Sequence, residues 1–357
     1  QRLRQAELQR YEAYGSLADV KQAMQCVLMG NLIWTPAELG PIAPVSRGWS
    51  FQPRAVIPDL QYVLFNWDAF FASFMFSLDR RALAYSNFMQ VVRTKTARGF
   101  IPNFASAGSK SQDRSQPPIG AQVLLNMYHK HGDKWPVALA WDDLCSYLHW
   151  FWRHRMSPDG LVVLGSDPVG YAGDTTPNTR FGAACESGLD NSPMYDVGEG
   201  EFDAQGSHHL RMADVGQTAL VMAEAEALIE LARVGAVDRQ QEAAELRRRV
   251  TAMQKAMGLF WDSEEGAFAN RFANGTLHRR RSPTCVYPLL AGAAEAPQAE
   301  ALAQRWLLNA SRFCLNPQWP RGNTDVCYWG LPSISADDAA YLVHDHNRRV
   351  YWRGNVW

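Results

Sequence analysis

The sequence predicts a mainly α-helical fold on three observations. Apolar residues recur at helical spacing over most of the chain, no series of alternating strands is present, and long stretches rich in Gly, Pro, Ser, Asn and Asp separate the helical segments. Between Gln240 and Phe260, the residues Ala243, Leu246, Val250, Met253, Met257 and Phe260 fall at alternating steps of three and four, which places them on one helix face. Further amphipathic patterns run from Leu8 to Leu28, Phe70 to Val92, Ala121 to Tyr128, Val137 to Arg155, Asp214 to Arg233 and Pro297 to Asn309. The intervening stretches Ile33 to Pro58, Arg98 to Pro118 and Ser157 to Phe202 are long for a compact domain, and loops of that length usually carry function. A small hairpin is expected at Gly266 to Phe272, after Trp261-Asp262. No Pro/Ser-rich linker divides the chain, and no repeat of roughly 34 or 40 residues marks a solenoid. Residues 1–357 are therefore expected to form one domain of helical hairpins with their loops gathered at one end.

Bulk properties narrow the function classes. With 47% hydrophobic and 20% charged residues and a net charge of -1, nothing draws the chain towards nucleic acid or an anionic membrane. No apolar run approaches the roughly 18 residues needed to span a bilayer. The 13 Trp, 12 Tyr and 16 Phe serve mostly in packing, but rigid aromatic faces also suit the C–H faces of sugar rings. Cys26, Cys145, Cys185, Cys285, Cys314 and Cys327 form no CxxC pair, so free, mostly buried thiols are expected instead of a zinc cluster or disulfide framework. The pair His208-His209 and the run His344, Asp345, His346 are read as loop residues, because adjacent side chains point apart whereas metal ligands converge. No metal and no cofactor are expected. The chain opens at Gln1 in a helical pattern, so its natural start is expected upstream; the compartment stays open, with the cytoplasm preferred, and so does the oligomeric state.

Four stretches carry chemistry. Glu186-Ser187-Gly188-Leu189-Asp190-Asn191-Ser192-Pro193-Met194-Tyr195-Asp196 sets three carboxylates in a long loop. Glycoside cleavage needs one carboxyl kept protonated for the leaving oxygen and a second kept ionised for water or carbon. Leu189, Pro193 and Met194 can disfavour the charged form of Asp190, and an anionic Glu186 nearby acts in the same direction; the alternative is a solvated acidic turn. Phe65-Asn66-Trp67-Asp68-Ala69-Phe70-Phe71 sits at a predicted helix start, where Asp68 is either an N-cap or a sugar-hydroxyl acceptor beside a stacking Trp67. Asp113-Arg114-Ser115-Gln116-Pro117-Pro118, preceded by Asn103, offers polar side chains stiffened by prolines. Tyr351-Trp352-Arg353-Gly354 pairs aromatics with a guanidinium, suited to sugar binding or to cation–π packing.

Together with Ser46-Arg47-Gly48-Trp49 and Leu331-Pro332-Ser333, these stretches resemble glycoside hydrolase family 63, which includes processing α-glucosidases of N-glycans and bacterial hydrolases of mannosylglycerate and glucosylglycerate. The resemblance covers nearly the whole chain, and it rests on the order and spacing of the motifs more than on any one of them. It implies an (α/α)6 toroid with a cleft at one end of the ring. It further implies Asp190 as general acid, and Phe65, Trp67, Asp68, Gln116, Trp352 and Arg353 lining the sugar subsite. Arg47, Trp49, Asn103, Arg114 and Glu186 join them as candidate substrate contacts. Asn355 stands where the family has proline.

The family's general base is a Glu beyond the Tyr351–Gly354 motif, so both the base and the closing helices of the ring are expected past Trp357. The implied activity is that of an inverting, exo-acting α-glycosidase releasing terminal glucose or mannose from a small glycoside or oligosaccharide. An α,α-trehalase shares the toroid, a WD motif and an ESG-like acid loop; a catalytically inactive sugar-binding toroid is the alternative from another class. Arg47 and Arg114 raise the option of a small acidic aglycone such as glycerate, since arginine binds carboxylates bidentately, although either can instead form a structural ion pair with Asp113 or another acid.

Overall fold

Helix follows helix through the computed structural model, which describes residues 2–35, 40–45, 62–106, 108–313, 331–341 and 352–354. In chain order the first half comprises α1 (Arg2–Glu12), α2 (Ala18–Gly30), β1 (Ile33–Thr35), β2 (Gly40–Ile42), β3 (Val63–Phe65), α3 (Asn66–Ser77), α4 (Arg81–Arg93), β4 (Phe104–Ser106), α5 (Gly120–His131) and α6 (Trp135–His154). The second half comprises β5 (Val163–Gly165), α7 (Arg180–Glu186), β6 (His209–Ala213), α8 (Val215–Arg233), α9 (Gln240–Met257), β7 (Trp261–Asp262), β8 (Ala267–Phe268), β9 (Arg271–Phe272), α10 (Tyr287–Leu290) and α11 (Ala296–Leu302). None of the described helices is long and apolar enough to cross a membrane.

Burial separates inner from outer helices. On α9 the residues Ala243, Leu246, Val250, Met253 and Met257 are buried, one stripe against the core, as their spacing predicts. Its hairpin partner α8 is buried nearly all round, from Val215 to Ala232, which marks a helix enclosed by neighbours on every side. Enclosure takes in even Glu224, whose carboxylate accepts hydrogen bonds from the backbone N–H of Ala121 (2.6 Å) and Gln122 (3.2 Å). These are donors that the first turn of α5 cannot satisfy within itself, so Glu224 caps α5 from the helix beside it. Burial pushes the Glu224 pKa up to about 7, against those hydrogen bonds.

Tertiary contacts divide two patterns that periodicity reads as continuous. The Leu8 to Leu28 pattern breaks between α1 and α2, where Gly15 takes φ +54°. The Phe70 to Val92 pattern is a helical hairpin of α3 and α4; its turn is pinned by a buried ion pair from Lys21 on α2 to Asp79 (2.9 Å). A hairpin forms one strand earlier than expected, between β7 and β8; within the expected Gly266 to Phe272 stretch β8 and β9 do not pair, and β9 instead pairs with β6 in the sheet β5-β6-β9. One short antiparallel pair matters for function, because β3 and β4 align Phe65 with Phe104 and so bring the start of α3 beside Asn103.

Candidate active site

The site is built around the first turn of α3. Asn66, at the helix start, is buried and donates to the Ile101 carbonyl (3.2 Å) and the Tyr147 hydroxyl (2.9 Å). Tyr147 in turn donates to the Gln116 carbonyl (2.7 Å), and the Trp67 N–H donates to the Gln116 side-chain oxygen (3.3 Å). This buried knot ties the helix start to the Ser115–Pro118 loop, since an unmade hydrogen bond at such depth costs about 1–3 kcal/mol. Trp67, Asp68 and Phe71 then lie on one face of α3, at the three- and four-residue spacing of neighbours on a helix. All three open onto a cavity of about 760 Å³.

Asp190 reaches the same cavity from the loop that follows α7. Glu186, at the end of α7, is fully buried and accepts from Arg155 Nε (2.7 Å), Ser115 N–H (3.0 Å) and Gly165 N–H (2.7 Å). Gly188 takes φ +75°, and a Cβ there would stand 2.3 Å from the Trp67 ring, so only glycine lets the loop lie against the indole. Leu189 and Met194 enter a second apolar cluster, against which Trp352 packs. Asn191 accepts from the Trp352 N–H (2.9 Å), Tyr195 donates to the buried Asp214 carboxylate (2.7 Å), and Asp196 pairs with Arg353. Trp352 and Arg353 are thus clipped to the acid loop at two points that follow Asp190.

Of the candidates from sequence, Phe65, Trp67, Asp68, Asn103, Arg114, Gln116, Asp190 and Trp352 converge on the one cavity. Two others do not. Glu186 lies behind the wall, its charge compensated by Arg155 and its lone pairs occupied, so it holds the acid loop without facing a ligand. Arg353 is turned to Asp196 and lies outside the cavity lining. Arg114 does line the cavity, but Nη1 sits 2.8 Å from both Asp113 carboxylate oxygens, the structural ion pair that was the alternative for it. Arg47 and Trp49 lie outside the described residues, as do His344, Asp345 and His346. Among the described residues no group of three or more His, Cys, Asp or Glu is placed to hold a metal ion.

Sequence reading missed Phe71, Phe181 and Cys185 on the cavity lining and Arg155 behind it. For Phe71 a signal existed, its spacing of four from Trp67. Cys185 and Phe181 belong to α7, a seven-residue helix capped by the Thr179 hydroxyl (3.0 Å from Gly182 N) and too short to show periodicity. A larger cleft of about 900 Å³ also exists, but most of its ionic groups pair with one another. There Arg280 pairs with Glu199 (2.8 Å), Arg281 with Asp262 (2.8 Å) and Arg312 with Glu265 (3.0 Å).

The electrostatics of the 760 Å³ cavity centre on Asp68. Asp68 is itself exposed to the cavity, but the protein packed around its carboxylate raises its pKa from 3.8 to about 6, and the neighbouring charge of Asp190 adds to the shift. Because the folded-state value lies above the unfolded one, protonated Asp68 favours the folded state below about pH 4, and that contribution is lost as pH rises through 6. Asp68→Asn is therefore expected to raise the melting temperature above pH 6 and to leave it nearly unchanged at pH 4. Melting curves across that range check this, and an equal shift at both ends would show that Asp68 is not the titrating group.

A family model described as the mannosylglycerate hydrolase MGH1-like glycoside hydrolase domain matches residues 61–357. Among solved structures, a mannosylglycerate hydrolase from Thermus thermophilus in complex with glucose is 18% identical with a TM-score of 0.68, over 94% of this chain and 84% of that one. The same hydrolase in complex with Tris and D-glycerate aligns with a TM-score of 0.67 at 17% identity, over 94% and 84%. A neutral trehalase from Saccharomyces cerevisiae is 14% identical with a TM-score of 0.58, over 87% of this chain and 63% of that one. A search of curated proteins by sequence returned no match. The helical hairpins described above follow the (α/α)6 toroid of the glycoside hydrolase family 63 and trehalase folds.

Proposed function

The chain belongs to the mannosylglycerate hydrolase MGH1-like family and is a glycoside hydrolase of the family 63 type, and on that basis we propose that it is an inverting, exo-acting α-glycosidase that releases a terminal glucose or mannose. The observation that carries the proposal is the meeting, in one cavity, of Asp190 and Asp68 with the aromatic faces of Phe65, Trp67 and Trp352 and the amides of Asn103 and Gln116. Those aromatic faces suit the C–H faces of a pyranose, while the amides and Asp68 suit its hydroxyls. In this reading Asp190 is the general acid. It donates its proton to the glycosidic oxygen as the bond to the anomeric carbon breaks. A base carboxylate on the opposite face, roughly 6.5–9.5 Å from the acid, takes a proton from the attacking water, and the resemblance puts that base past Trp357. Residues 1–357 are read as part of a single catalytic domain.

The test is the full-length protein on α-glucosides, α-mannosides and α,α-trehalose, with product anomers followed by NMR before mutarotation. The expected first product is the β-anomer of glucose or mannose. Appearance of the α-anomer would remove the inverting mechanism, and turnover confined to trehalose would move the enzyme to the trehalase class.

A further inference from the structure

A second pocket, of about 440 Å³, lies across the β3–β4 ribbon from the catalytic cavity. Leu64 and Ala105 pair across that ribbon and line the pocket, whereas Phe65, the next residue of β3, lines the catalytic cavity. Successive side chains on a strand point to opposite faces, so the ribbon divides the two spaces. Phe104 marks the boundary, its ring in edge contact with Phe65 (6.5 Å between centroids) and with Tyr171 of the second pocket (6.3 Å). The volume falls in the range of small-molecule sites. We propose that this pocket binds a small hydroxylated carboxylate, of the sugar-acid class, through Lys110, Arg93 and Gln90. The inference does not depend on the glycosidase reading above.

These three groups have capacity left for a ligand. Lys110 donates to the carbonyls of Thr94 (2.8 Å) and Lys95 (3.1 Å), which leaves the third hydrogen of its ammonium available. Burial lowers the Lys110 pKa with no carboxylate opposing the shift, so a bound anion would supply the compensation that the fold does not. Arg93, at the exposed rim, has no carboxylate partner among the described residues either. Gln90 lines the pocket at 6% exposure, and its side-chain oxygen has no hydrogen-bond partner. A buried acceptor left unmade is unfavourable, and a ligand hydroxyl can donate to it. Tyr62 and Tyr171 add aromatic faces suited to the C–H groups of a polyol. A bare inorganic anion would use the two cations and leave the amide idle, and a neutral polyol would do the reverse. A ligand with both a carboxylate and hydroxyls uses all three groups.

The experiment is calorimetric titration of the full-length protein with D-gluconate, with sorbitol as its neutral counterpart and inorganic phosphate as the bare anion. Gluconate is expected to bind about tenfold more tightly than either. Lys110→Met is expected to weaken gluconate binding about tenfold, and Gln90→Leu about fivefold. Lys110 also ties down the Thr94 and Lys95 carbonyls, so Arg93→Met, at the exposed rim, is the variant that leaves the fold intact, with an expected loss of about threefold. Trp67→Ala, in the catalytic cavity, is expected to leave gluconate affinity unchanged. Gluconate binding no tighter than sorbitol, or phosphate binding as tightly as gluconate, overturns the proposal. So does an affinity unchanged in both Gln90→Leu and Arg93→Met. Loss of gluconate binding in Trp67→Ala would put the ligand in the catalytic cavity and overturn it as well.

Discussion

Asp190→Asn is expected to lower turnover of alkyl glycosides by about 10²- to 10⁴-fold, the usual contribution of general acid catalysis. Asparagine keeps the shape of the side chain and removes the transferable proton. The loop around it is held by Glu186, Asn191 and Tyr195, none of which depends on the Asp190 charge, so the fold and the melting temperature should be little changed. A leaving group that departs without protonation, such as fluoride, should lose far less. The variant should also lower the Asp68 pKa from about 6, because the Asp190 charge is one of the causes that raise it. The measurement is kcat/KM against pH for octyl glycoside and glycosyl fluoride. Near-normal turnover of the octyl substrate would remove Asp190 from the role of acid and turn attention to Asp68.

Arg155→Met is expected to cost about 3–5 kcal/mol of stability, the usual result of stripping one partner from a buried ion pair. Arg155 is fully buried and makes five contacts at once: to Glu186 (2.7 Å), to Asp167 (3.1 Å), to the His154 carbonyl (3.0 Å), to the Asp113 carbonyl (2.9 Å) and over the Trp150 ring (4.6 Å to the centroid). Its loss strands the Glu186 carboxylate, which also fastens the Ser115 and Gly165 backbones. Gln116 follows Ser115 and Asp190 follows Glu186 by four residues, so sugar binding and turnover should fall together with stability. Pairing Arg155→Met with Glu186→Leu removes the stranded charge, and the double variant should regain part of the stability but not the activity. Urea unfolding of the three variants checks this. A single-variant loss below about 1 kcal/mol would mean that water reaches Glu186 and that the pair contributes little to stability.

How much was legible in the sequence depended on the range of the interaction concerned. The stripe of α9 could be read because burial of one helix face imposes a period on neighbouring residues, and that period survives in the chain. The loop with Glu186 and Asp190 could be singled out because its Gly, Ser, Asn and Pro mark an irregular backbone carrying acids. The family resemblance rested on the same local motifs. The turn between α3 and α4 could not be read, because the Lys21–Asp79 pair that pins it joins residues far apart in the chain. Nor could α7, since seven residues are fewer than two turns with a detectable face.

Roles within the motifs divided in the same way. The residue pattern is enough to establish a helical protein with an acid loop, a Trp-Asp helix start and the membership those imply. Which carboxylate faces the cavity, and which is sealed behind it, depends on tertiary contacts. Asp190 and Glu186 are both acids in one short loop, and they differ because Arg155, Ser115 and Gly165, from three other parts of the chain, converge on Glu186. Arg114 and Arg353 likewise look like ligand-binding arginines in sequence, yet Asp113 and Asp196 hold them in place. A local pattern specifies which chemical groups are present. Desolvation and pairing, which act through contacts distant in sequence, specify which of those groups remain available to a substrate.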